Sequence, residues 1–111
     1  GPLYHSARSM RAVLPNEPTN IFLISAEPRS DYLDLRVNYH LLPHRVFDFN
    51  QRFWRVARRS KVGDYLLVLG DIPALQYNQD SGNLSWNGKG SLTVSRLYED
   101  DIGVLYRVEQ D

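Results

Sequence analysis

Apolar and polar residues alternate with a period of two along most of this chain, which predicts strands rather than helices. NIFLISAEP (Asn20–Pro28) reads as a short apolar strand ended by Glu27-Pro28. In DYLDLRVNY (Asp31–Tyr39), Leu33, Leu35 and Val37 point one way, and Tyr32, Asp34, Arg36 and Asn38 the other. HLLPHR breaks that run at Pro43, and VFDFNQRFWRVARR (Val46–Arg59) reads as a third, long, aromatic-rich strand. After the turn SKVGD, a fourth strand rises through Tyr65–Leu69, passes Gly70 and continues to Tyr77. Turn chemistry follows at Asp80-Ser81-Gly82-Asn83. Most strands are about 5–6 residues long, so this stretch predicts an unusually long hairpin arm with an aromatic residue near its tip. GSLTVSRLY (Gly90–Tyr98) is the fifth strand, and GVLYRVE (Gly103–Glu109) a short sixth piece beyond an acidic break. No helical spacing of apolar residues is sustained for three turns, so no long helix is expected.

Five strands of uneven length with little helix predict an all-β domain, either a small barrel or a sandwich. A sandwich calls for more, shorter strands. A five-stranded sheet must bend sharply to close on itself, and Gly70 supplies a place for the bend. The leading expectation is therefore a five-stranded oligonucleotide-binding (OB) barrel with a long hairpin between its fourth and fifth strands.

At 111 residues the chain fits one domain. Gly1-Pro2 reads as a protease scar. Residues 3–19 carry Arg8 and Arg11, two serines and no acid before Glu17, the flavour of an organelle transit peptide or of the stretch after its cleavage point. A floppy extension accounts for the same residues equally well. Residues 1–19 are thus set apart as an N-terminal extension, with a mitochondrial or similar location expected, and the domain is placed at 20–111.

Apolar residues make up 42% and charged residues 23%, an ordinary globular composition. No apolar run approaches the ~20 residues of a membrane-spanning helix. With no cysteine, disulfides and thiolate metal sites are excluded. The net charge is zero, from 13 basic and 13 acidic residues, but the charges are unevenly spread. Arg52, Arg55, Arg58, Arg59 and Lys61 crowd one stretch, and Glu99, Asp100, Asp101, Glu109 and Asp111 gather near the C-terminus. Such a basic stripe either binds an anionic polymer or is a solvated face.

Enzyme chemistry fits poorly. His40 and His44 have a metal-like spacing, but Pro43 lies between them and no third ligand is near in sequence. NGKGS (Asn87–Ser91) lacks the spacing of a phosphate loop. Asp34, Asp48 and Asp64 are scattered. No cofactor is expected.

Four local patterns, in order, resemble the single-stranded-DNA-binding proteins of the bacterial and mitochondrial type. These are NIFLI at the start of the domain, LDLRVN (Leu33–Asn38), FWRV (Phe53–Val56), and Gly70, Tyr77 and Gly82 at fixed spacing along the long arm. The likeness covers roughly residues 20–98. It implies an OB fold whose long arm lies along the nucleic acid, sequence-independent binding of single-stranded DNA, and a homo-oligomer, dimer or tetramer, paired through the first strand. Asn20, Ile21, Phe22, Leu23 and Ile24 would form that interface. The chain departs from the family between the third and fourth strands, where RRSKVGD is too short for the helix that plugs the family's barrel. The N-terminal segment, the C-terminal piece or a partner must cover that end. The family's bacterial members also end in a disordered linker with an acidic tail, and here the sequence ends at Glu109-Gln110-Asp111.

Bases stack on aromatic rings at ~1–3 kcal/mol each, and arginines neutralise phosphates. Period two puts Phe53 and Arg55 outside and Trp54 with Val56 inside, and the resemblance likewise gives Phe53 as the stacking ring. A bulge before Arg55 would reverse the two, leaving Trp54 to stack and Phe53 in the core. Arg36 and Tyr39 are candidates on the second strand. Tyr77, favoured by the resemblance, and Trp86 flank the long hairpin. Arg58, Arg59 and Lys61 would follow phosphates. A rival reading is an OB-fold scaffold inside a larger organelle RNA-processing complex, bound to RNA or to another OB domain. Neutral net charge and the missing helix favour that rival.

Overall fold

The computed structural model describes residues 2–26 and 37–110. Of the expected second strand, Asp31–Tyr39, residues 31–36 with Arg36 lie outside the described residues, and 37–39 are helical rather than extended. Seven strands form one mixed sheet: β1 (Asn20–Ser25), β2 (Arg45–Asp48), β3 (Tyr65–Leu69), β4 (Leu75–Asn78), β5 (Asn83–Trp86), β6 (Ser91–Glu99) and β7 (Gly103–Gln110). Their order across the sheet is β2-β1-β3-β7-β6-β5-β4. β1 runs parallel to both β2 and β3, and every other pairing is antiparallel. Two helices, α1 (Pro2–Val13) and α2 (Phe53–Arg59), and a helical turn over 37–40 complete the described structure.

The domain is mostly β, but the sheet is open and has seven strands, not a closed five-stranded barrel. The physical reason lies in two interior strands, β1 and β3. NIFLIS and YLLVL are continuous apolar runs, the composition of parallel strands buried on both faces. Alternate residues enter two separate cores. Phe22, Ile24, Leu66, Val68, Tyr106 and Val108 face one side, where Phe53 and Val56 of α2 meet them. Ile21, Leu23, Tyr65, Leu67, Leu69 and Leu105 face the other, under Ala7 and Met10 of α1, Leu14, Val37 and Leu41. The result is a sheet with helical cover on both faces.

Stretch 2–13, set aside above as an extension, is therefore a helix packed into the domain. Leu3, Ala7, Met10 and Leu14 recur at intervals of four, three and four, a helical stripe. Ser6, beside them, is buried as well.

The predicted long fourth strand is three pieces. Gly70 ends β3 in the left-handed region at φ +84, and a Cβ there would lie 2.8 Å from Cβ of Ala26. The chain then crosses to the far edge, where β4 pairs only with β5. In β6 a register shift between Arg96 and Tyr98 turns the strand over. Leu92 and Val94 thus reach the α2 side, whereas Leu97 and Tyr98 pack on the α1 side.

Of the expected interface residues Asn20–Ile24, Asn20–Leu23 pair with β2 on one side and Ile21–Ile24 with β3 on the other. Ile21, Phe22, Leu23 and Ile24 are buried. Over Ile21–Leu23 neither edge of β1 is therefore free for another strand.

Candidate nucleic-acid interface

The expected third strand, Val46–Arg59, is β2 followed by α2. Asn50 at φ +55 ends the extended run, its backbone N–H bonded to Oδ1 of Asp48, and Arg52 donates to the carbonyl of Phe49 to start the helix. Helical geometry then re-sorts the side chains. Phe53 and Val56, three apart, face the core, while Trp54 with Arg58 and Arg55 with Arg59 form i, i+4 pairs outside it. Phe53 is 1% exposed and Trp54 45% exposed, the reverse of the period-two assignment. The bulge alternative foresaw this exchange of positions, although a helix and not a bulge produces it.

Arg55 and Arg58 hold their guanidinium carbons 5.1 and 6.0 Å from the Trp54 ring centroid. Arg59 lies 5.9 Å from the Phe49 ring. Among the described residues no carboxylate is within ion-pair distance of Arg55, Arg58 or Arg59. Together with Trp54 these three arginines line an open cleft of about 330 Å³.

A second recess of about 200 Å³ adjoins it, walled by Phe53, Trp54 and Trp86 with Gln51 and Lys89 as its polar groups. Trp54 is common to both. Trp86 stacks on Phe53 with centroids 6.5 Å apart and planes 20° from parallel. Asn87–Ser91 is the β5–β6 turn: Asn87, Gly88 and Gly90 all have positive φ, which brings Lys89 round toward α2. A Cβ on Gly90 would touch Ala57, Trp54 and Phe53, so the turn lies directly against the helix. Gln51 donates from Nε2 to the carbonyl of Ala26, leaving its side-chain oxygen as an acceptor.

The other predicted residues lie elsewhere. Tyr77 packs on Tyr106 at 5.3 Å, and Arg96 covers its ring at 5.1 Å. Burial first, with Glu99 and Tyr77 adding to it against Arg96, pushes the Tyr106 hydroxyl up to about 12. Tyr77 is therefore part of a packed cluster and not a free ring at an arm's tip. Tyr39 is 70% exposed but stands on the helical turn over 37–40, which covers the α1 side of the sheet. Lys61 opens the turn to Asp64, whose Oδ2 accepts its backbone N–H. Trp54, Arg55, Arg58, Arg59 and Trp86 come together, and Gln51 and Lys89 are neighbours that period-two reasoning passed over.

The histidines have structural surroundings. Nδ1 of His44 accepts from the backbone N–H of Thr19 at 3.2 Å and sits 2.7 Å from the Thr19 hydroxyl. His40 meets the rings of Tyr4 and Tyr39 edge-on.

No family model, curated protein or solved structure matches this chain.

Proposed function

We propose that this chain binds single-stranded DNA without sequence preference, through the outer face of α2 and the adjoining β5–β6 turn. One observation carries the reading: a half-exposed indole, Trp54, beside three arginines that have no carboxylate partner among the described residues. A base stacks on the indole or enters the recess between Trp54 and Trp86, and Arg55, Arg58 and Arg59 neutralise the flanking phosphates. A closed barrel is not required. The chemistry needs rings and guanidinium groups on one open surface, and stacking accepts any base because every base has a π-face.

Fluorescence anisotropy of labelled oligo(dT) across a salt series tests this. Neutralising three phosphates gives a log–log slope of about −2, at about −0.7 per phosphate on a single strand. Absence of binding at low salt would favour the scaffold reading. That rival rests on β2, which among the described strands lies at the sheet edge and whose Phe47 is 44% exposed.

A further inference from the structure

On the α1 side of the sheet lies a second basic and aromatic cleft, of about 410 Å³, lined by Tyr4, Arg8, Arg11, Tyr39, His40 and Leu42. Tyr4, Arg8 and Arg11 stand at i, i+4 and i+7, so they form one ridge of α1, distinct from the Ala7, Met10 and Leu14 stripe in the core. The opposite wall is the segment 39–42.

Packing accounts for part of this arrangement. Tyr4 meets His40 edge-on at 5.4 Å, which seats α1 against the helical turn. Packing does not account for Tyr39, the most exposed large apolar or aromatic side chain among the described residues. Nor does it account for two arginines beside it with no carboxylate within ion-pair distance among those residues. The field of Arg11 is felt nearby: after burial, its charge is what lowers the proton affinity of His44. The cleft therefore combines positive charge that has no carboxylate partner among the described residues with open ring faces, and its volume falls in the range of about 300–1,000 Å³ typical of small-molecule sites.

We infer that this cleft is a separate binding site for a phosphorylated planar heterocycle of nucleoside monophosphate size, its ring against Tyr39 and Tyr4 and its phosphate on Arg8 and Arg11. Guanidinium forks match phosphate oxygens in pairs, and a ring adds stacking that inorganic phosphate cannot supply. The site stands independently of the α2 face.

Isothermal titration of the full chain with UMP and AMP, and with uridine and inorganic phosphate as separate probes, tests the inference. Saturable binding of either nucleotide, about tenfold or more tighter than uridine and phosphate, is the expected result. Arg8→Ala with Arg11→Ala should weaken it by about tenfold or more, and Tyr39→Ala should weaken it too, whereas Trp54→Ala should leave it unchanged. Arg8, Arg11 and Tyr39 are exposed, so these variants keep the core intact. No saturation at millimolar nucleotide would overturn the inference. So would phosphate binding as tightly as the nucleotide, or loss of the heat with Trp54→Ala.

Discussion

Ser6, in the first helix, donates from its hydroxyl to Oδ2 of Asp100, 94 positions away, at 2.5 Å. Asp100 is the hub of the β6–β7 turn. Its Oδ1 accepts the backbone N–H groups of Ile102 and Gly103, and Oδ2 also accepts the hydroxyl of Tyr98. One carboxylate thus closes a hairpin and fastens α1 over it.

That carboxylate should govern acid stability. Burial pushes its pKa up, but the bonds from Ser6, Tyr98, Gly103 and Ile102 outweigh burial and hold it below the ordinary carboxylate value. A depressed folded-state pKa gives stability that is present above the unfolded value and is lost as pH falls through the folded one. Asp100→Asn should accordingly lower Tm at pH 7 and flatten the acid limb of the melting profile below pH ~4. Ser6→Ala, which removes one of four donors, should cost about 1 kcal/mol. Thermal melts from pH 7 down to pH 2 read the first effect, and chemical denaturation at pH 7 the second.

His44 should add a second pH dependence at milder acidity. Burial, then the positive charge of Arg11, lowers its pKa below the ordinary imidazole value. The unfolded chain therefore binds the proton more readily, and stability falls as pH drops from about 6.5 toward the folded-state pKa. Protonation of Nδ1 also ends its acceptance of the Thr19 N–H at the entry to β1. Thermal melts from pH 7.5 to 5 should show a falling Tm, and His44→Gln should remove that slope while lowering Tm at pH 7.5.

Trp54 and Phe53, adjacent in sequence, should separate binding from folding. Trp54→Ala removes a half-exposed ring and should change stability by less than about 0.5 kcal/mol. Its oligo(dT) affinity should fall about 5- to 150-fold, the equivalent of one stacking contact at about 1–3 kcal/mol. Phe53→Ala empties a core position beneath Trp86 and should cost about 3–5 kcal/mol, a large share of the ~5–15 kcal/mol that holds a domain together. Urea titrations and anisotropy on both variants decide it. Equal affinity in Trp54→Ala and the unsubstituted chain would end the α2 proposal.

What the residues alone disclosed depends on which rule governed each segment. β6 and β7 lie where alternation put them, because an antiparallel strand with one wetter face keeps a period of two. The α2 segment misled because FWRVARR satisfies a strand and a helix over its first four residues. Only Phe53, Val56 and Ser60, spaced three and four apart and all buried, reveal the helix. The unbroken runs in β1 and β3 were the signal for parallel strands covered on both faces, and a barrel strand would have alternated. At the candidate site, the crowding of Arg55, Arg58 and Arg59 was visible in the sequence. The contribution of Gln51 and Lys89 was not, since it arises from a turn folding back onto a helix.

The N-terminal helix supplies the last test. Ala7, Met10 and Leu14 cover Ile21, Leu23, Leu67 and Leu105, which lie on the second face of the interior strands. A chain begun at Thr19 would bare that face and cut the Ser6–Asp100 tie, and a large exposed apolar patch invites association. Such a truncation should be insoluble or show no cooperative unfolding. Met10→Ala, at 2% exposure, should cost about 2–5 kcal/mol in an otherwise intact chain. If residues 2–14 were a detachable leader, the truncated chain would melt at the same temperature as the full one, and Met10→Ala would be silent. Calorimetry on the two variants distinguishes a helix that belongs to the fold from one that merely precedes it.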